Sequence, residues 1–181
     1  DPGQLDRVLH YLVAQRGLPH GLLTPLIQSG SLYADRRANA VFLLRDPQIL
    51  PVGAELCGTT LSPWRGMAPG SRKDLGFFAI PPTPQPASLP ADRQVILCES
   101  AIDAISCWVL HPQHRCVSTA GARPNPRWLP AFIDPGHPIY CGFDADPTGD
   151  AMAFAMISLY PTVKRLRPSL KDWNDVLRSR P

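Results

Sequence analysis

The chain has 181 residues, 44% of them hydrophobic, enough to bury one core or two small ones. Its 18 basic and 15 acidic residues leave a net charge of +3, which permits a nucleic-acid partner without demanding one. No apolar run is long enough to cross a bilayer and no charged-then-apolar N-terminal segment marks a secretory signal, so no membrane partner and a cytoplasmic location are expected. The abrupt start at Asp1 and end at Pro181 fit a fragment of a larger protein.

In chain order, Leu5, Val8, Leu9, Leu12 and Val13 recur at helical spacing, which predicts a helix over 5–16 stopped by Gly17. A second short helix is predicted over 21–28, ended by Gly30. Residues 40–44 and 52–56 read as strands separated by the turn-like Asp46-Pro47, residues 62–76 as a loop, and 77–80 as a further strand. Residues 81–91 hold five prolines and read as a semi-rigid linker. The expected organisation is therefore an α+β subdomain over 1–80, the linker, and a second domain over 92–181.

Beyond the linker, strands and helices alternate. Strands are predicted at 95–98, 116–119, 139–143 and 162–166, and helices at 100–110, 125–132, 148–159 and from about 173. Short apolar strands alternating with helices imply a parallel sheet covered on both faces. In such sheets ligands sit at the carboxyl ends of the strands. Glu99 falls one residue past the first of these strands, and Asp144 one past the third.

Cys57, Cys98, Cys107, Cys116 and Cys141 show neither a CxxC pair nor zinc spacing, and read as reduced buried thiols. The five histidines share no spacing and receive no role. The acids say more. Nine lie from residue 91 onward, and seven of them group as Glu99/Asp103, Asp144/Asp146/Asp150 and Asp172/Asp175. Hard oxygen donors at adjacent strand ends suit Mg²⁺, which serves phosphoryl transfer by neutralising phosphate charge and polarising a hydroxyl. Each acid also has a local structural reading. Ser100-x-x-Asp103 is a capping-box pattern, Asp146 before Pro147 suits a helix N-cap, and Asp150 suits a first helical turn. Glu99 and Asp144 end apolar strands, where a lone carboxylate would be costly to bury.

The segment VILCESAIDAIS (95–106) resembles the first motif of the Toprim domain shared by topoisomerases, bacterial primases and some nucleases. CVSTAGAR (116–123) resembles its second element, with Gly121 in the loop. IYCGFDADPTGDAMA (139–153) resembles its Asp-x-Asp motif, and LKDWNDVL (170–177) the closing Lys-Asp-x-Asn segment of primase-like members. Upstream, segments between 11 and 78 resemble the region preceding Toprim in plasmid-borne and primase-like proteins, more loosely. The resemblance implies an α/β fold: a C-terminal Toprim domain with a Rossmann-like, mostly parallel sheet, and a smaller α+β N-terminal subdomain. It implies a Mg²⁺-dependent site, with Mn²⁺ able to substitute, for primase-type nucleotidyl transfer in plasmid or mobile-element replication. Glu99, Asp144 and Asp146 would be catalytic metal ligands, Asp103 would orient the site, and Gly121 would let backbone approach a phosphate. Lys171 and Asp172 would contribute at the rim. Arg36, Arg37, Arg45, Arg65, Arg72 and Lys73 are candidate phosphate contacts. Single-stranded DNA or RNA, nucleotides, and other domains of a larger replication or mobilisation protein are the expected partners. The zinc-binding module of replicative primases has no counterpart in the Cys/His spacing.

Three readings compete: synthesis by a primase-type module, cleavage by a Toprim nuclease, and a non-catalytic nucleic-acid-binding module. A fourth, a haloacid-dehalogenase-type phosphatase attacking through Asp144, is disfavoured because only 33 residues follow Thr148.

Overall fold

The computed structural model describes residues 2–60, 64–81, 94–133 and 138–180. The chain divides into two compact units, Asp1–Phe78 and Ala79–Pro181. Most of the proline-rich segment at 81–91 lies outside the described residues.

The first unit opens with α1 (Leu5–His10), which continues through a π-helical turn at Tyr11–Gln15. Gly17, at φ 67°, ends this run because a left-handed backbone is cheap only without a Cβ. Helix α2 (His20–Gln28) follows and stops before Gly30, at φ 68°. Four strands then form an antiparallel meander in chain order: β1 (Leu32–Ala34), β2 (Ala40–Arg45), β3 (Pro51–Cys57) and β4 (Arg65–Met67). Asp46 sets the β2–β3 turn by accepting the N–H groups of Gln48 and Leu50 at 2.9 and 2.8 Å. Helices α1 and α2 both contact β1, and Val8, Leu12, Leu23, Leu32, Phe42 and Leu44 are buried. The predicted loop over 62–76 holds β4, and β1 was not foreseen. Both are three-residue strands that exist because β2 and β3 offer them a ladder.

The second sheet has the order β5-β7-β6-β8-β9, from β5 (Phe78–Ile80), β6 (Val95–Cys98), β7 (Arg115–Ser118), β8 (Ile139–Cys141) and β9 (Lys164–Arg165). Strand β6 pairs in parallel with both β7 and β8, and β8 with β9. All four residues of β6 are buried, as a central parallel strand requires. Helix α3 (Ala101–Leu110) joins β6 to β7, and α5 (Pro147–Leu159) joins β8 to β9; α4 (Pro130–Ile133) and α6 (Trp173–Arg178) complete the set. The chain runs from β6 outward to β7, then returns across β6 to β8. The topological switch point of this sheet therefore lies between β6 and β8.

Two of the boundaries that differ from the sequence-based expectation stand out. The predicted helix at 125–132 shrinks to Pro130–Ile133, because Pro124 and Pro126 break it and Pro130 starts it. Strand β8 stops at Cys141, so Asp144 lies three residues past its end rather than one. All five cysteines are free and buried, and burial pushes the Cys98 thiol up to about 11 and Cys141 to about 12. Among the described residues no helix is long and apolar enough to cross a membrane.

Candidate active site

Glu99 directly follows β6, and the loop after β8 carries Asp144 and Asp146. The Asp144 N–H donates to Glu99 Oε1 at 3.0 Å, which fastens the two strand ends to each other. The Gly121 N–H donates to the Glu99 carbonyl at 2.7 Å, and the Thr119 N–H to the Cys98 carbonyl at 2.9 Å, adding the end of β7 to the same cluster. The Ala145 N–H donates to the Lys171 carbonyl at 2.7 Å, which adds the segment before α6. The four motifs of the second unit thus meet through hydrogen bonds donated by backbone N–H groups at the carboxyl ends of β6, β7 and β8.

Burial raises the pKa of the half-buried Glu99; the Asp144 N–H opposes that shift, the charges of Asp146 and Asp103 add to it, and Arg165 offsets part of it. Asp144 is 8% exposed. Asp146 caps α5, accepting the Gly149 N–H at 2.8 Å, with Pro147 in the first turn. Its capping oxygen is Oδ1. Gly149 closes the arrangement. A Cβ there would lie 2.3 Å from the Asp144 carbonyl oxygen and 2.9 Å from Glu99 Oε1, so a side chain would fill the space where the two acids approach.

Asp103 is fully buried, with its carboxylate on the Ser100 hydroxyl at 2.5 Å and on the Asn174 N–H at 3.4 Å, while Ser100 Oγ caps α3. Asn174 Nδ2 donates to Ser106 Oγ at 3.0 Å, and Trp173 Nε1 to the Gly142 carbonyl at 2.7 Å. Asp103 therefore holds α6 against α3. Asp172 caps α6 by accepting the Asp175 N–H at 2.7 Å, and Lys171 is exposed. Gly121 sits at φ 112°, which favours glycine, with nothing within 4 Å of a Cβ built on it. Its N–H donates to the Glu99 carbonyl.

Arg165 and Arg167 were not singled out from the sequence. Arg165 donates to the carbonyls of Cys141 (3.0 Å), Phe143 (2.8 Å) and Asp144 (3.0 Å) and to Asp150 Oδ1 (2.8 Å). Arg167 adds the Ala145 carbonyl at 3.1 Å and the same Asp150 carboxylate. The two guanidiniums hold the Asp150 carboxyl down at about 2. The signal for them was the charged alternation Lys164-Arg165-Leu166-Arg167, which by itself reads as a solvated strand edge.

The first-unit candidates are distributed as follows. Arg36 and Arg37 are exposed in the β1–β2 turn, which Asp35 organises by accepting the Arg37 and Asn39 N–H groups. Arg45 donates to the Ile49 carbonyl at 3.3 Å, and Arg65 and Lys73 are exposed but engaged elsewhere. Arg72 is exposed on the segment after β4.

Hard carboxylate oxygens with a disfavoured charge on Glu99 are the donor chemistry that a divalent cation relieves. Among the described residues, no three acidic, histidine or cysteine side chains stand as a ready-made metal cluster. The donor set suits such an ion, and holding it requires the carboxylates to draw together.

Residues 96–177 match the family model described as Toprim-like, and residues 10–81 match one described as a protein of unknown function. No curated protein sequence matches the chain significantly. Among solved structures, the primase fragment of the bacteriophage T7 primase-helicase protein superposes with a TM-score of 0.65 at 16% identity, over 90% of this chain and 66% of that one. The DnaG primase catalytic domain bound to ssDNA gives 0.59 at 14% identity, over 93% and 66%. The E. coli primase catalytic core gives 0.59 at 12% identity, over 94% and 68%. The chain thus spans about two thirds of the length of these primase chains. Its second unit carries a Toprim-like domain. The chain has the fold of a primase catalytic core.

Proposed function

We propose that this chain is the catalytic part of a primase-type nucleotidyltransferase, joining nucleotides on a single-stranded nucleic acid in the presence of Mg²⁺, with Mn²⁺ able to substitute. The observation that carries this reading is the Asp144-to-Glu99 hydrogen bond at the switch point of the sheet, with Asp146 on the same loop. The Toprim-like match and the primase-core fold support it.

Glu99, Asp144 and Asp146 would hold the ion, which when bound neutralises phosphate charge and polarises a reacting hydroxyl. The chain's own contributions follow from the hydrogen bonds. Asp144 keeps Glu99 Oε1 in place, leaving Oε2 to exchange a proton or face the ion, and the raised pKa brings that exchange closer to neutral pH. Arg165 and Arg167 fix the loop through its carbonyls, and the α5 N-cap fixes Asp146. Asp103 acts as a positioning residue through α6. We place it in the cytoplasm, in the DNA replication of a plasmid or mobile element; the primase fragment it resembles in fold comes from a primase-helicase protein.

The test is incubation of the protein with Mg²⁺ or Mn²⁺, a labelled single strand and nucleoside triphosphates. Extended products support the proposal. Shortened products replace it with a nuclease working through the same acids. Neither product, with strand binding intact, replaces it with a binding module.

A further inference from the structure

A cleft of about 360 Å³ opens on the first unit, lined by Tyr33, Leu43, Gly53, Ala54, Ser71 and Arg72 among others. Tyr33, Leu43 and Ala54 share one face of the meander, because Tyr33 pairs with Val41 and Leu43 with Ala54. Tyr33 is 41% exposed. Neither its hydroxyl nor the Arg72 guanidinium makes a hydrogen bond or ion pair among the described residues. The rim is fixed rather than loose. The Ala54 N–H donates to Ser71 Oγ at 3.1 Å, the Arg72 N–H to the Val52 carbonyl at 2.8 Å, and the Ala68 N–H to the Ala54 carbonyl at 2.9 Å. Gly53 permits this closeness, since a Cβ there would sit 2.6 Å from Ser71 Cβ and 2.9 Å from its Cα. The volume is that of a small-ligand site.

The lining combines an apolar floor, one accessible aromatic face and one guanidinium with no partner among the described residues, and none of its residues is acidic. A flat ring offers every base a stacking surface, and a cation nearby suits the phosphate that accompanies the base. We propose that this cleft binds one nucleotide unit, its base on Tyr33 and its phosphate at Arg72. The inference rests on the nucleic-acid reading above. It adds a contact site on the first unit, whose family model carries no function. The unit comes either from the single strand or from a free nucleoside triphosphate.

The full chain is titrated into a labelled oligothymidylate of about a dozen nucleotides, a length within single-strand site sizes, and separately into a labelled nucleoside triphosphate. An oligomer carrying one 5-iododeoxyuridine is cross-linked and the adduct mapped. Tyr33→Ala should weaken binding about fivefold to hundredfold without changing the salt slope, as loss of one stacked base does, while Tyr33→Phe binds like wild type. Arg72→Ala should weaken binding and reduce the salt slope by about one. The cross-link should fall on Tyr33. If the loss appears only with the nucleoside triphosphate, the cleft holds a free nucleotide, which supports the proposal and names its source. If wild type binds the strand while both variants bind strand and triphosphate equally well, with the adduct elsewhere, the cleft is not a site and the primase reading stands. If wild type binds neither, both readings fall.

Discussion

Asp144 donates its backbone N–H to the carboxylate of Glu99 at 3.0 Å, across 45 residues of sequence. The strand ends that carry the two acids flank the switch point of a parallel sheet. The bond engages Oε1 of the Glu99 carboxylate.

Glu99→Gln keeps that bond, because the amide oxygen still accepts the Asp144 N–H, and it removes the charge. Burial and the neighbouring aspartates raise the folded pKa above the unfolded value. Between those two values the folded state binds more protons, so stability falls as pH rises through the folded pKa. The metal-free Glu99→Gln variant should therefore melt at the same temperature as wild type or higher at neutral pH, with most activity gone. Thermal unfolding and product formation, measured on the same preparation, check this. A destabilised but active variant would make Glu99 structural.

Arg165 holds three carbonyls and Asp150 at once. Arg165→Met removes donors from carbonyls that lie beneath the Asp144 loop and should destabilise the protein by about 2 kcal/mol or more, at roughly 1 kcal/mol per hydrogen bond lost. Arg165→Lys keeps the charge but not the fork and should fall between the two. Urea unfolding separates the three proteins.

Gly149→Ala sets two effects against each other. Helix propensity favours alanine by about 1 kcal/mol, but the added Cβ meets the Asp144 carbonyl oxygen at 2.3 Å and Glu99 Oε1 at 2.9 Å. The closer contact is with backbone, so the clash wins, and the variant should lose about 1–3 kcal/mol. Calorimetric unfolding reads the sign directly.

Asp150 gives a pH signature. Its folded carboxyl is held at about 2 by hydrogen bonds from Arg167 and Arg165, below an unfolded value of about 4. Its contribution is present above about pH 4 and is lost as pH falls towards 2. Both partners are partly exposed, so the effect is small and weakens with salt. Melting temperatures between pH 5 and pH 2 should fall more steeply for wild type than for Asp150→Asn.

The layout of the second unit was readable because its signals are local. Val95–Cys98 is a continuous apolar run that only a buried strand tolerates, and Ser100 and Asp146 sit where helix caps belong. Strands β1 and β4 were not readable: Leu32–Ala34 and Arg65–Gly66–Met67 have no pattern of their own and are strands only through their partners. The end of β8 shifted for a tertiary reason, since Gly142 receives the Trp173 indole on its carbonyl. The roles of Arg165 and Arg167 depend on loop carbonyls about 20 residues upstream, and no local spacing encodes that.

The central claim is that Glu99, Asp144 and Asp146 draw together on a divalent cation. Calorimetric titration of Mn²⁺ into wild type and the Asp144→Asn/Asp146→Asn double variant tests it most directly. Asparagine still caps a helix, so the double variant loses charge while keeping the α5 N-cap, and circular dichroism should show the fold intact. The account predicts one saturable binding event in wild type and none in the folded double variant. Unchanged Mn²⁺ binding in that variant would contradict it.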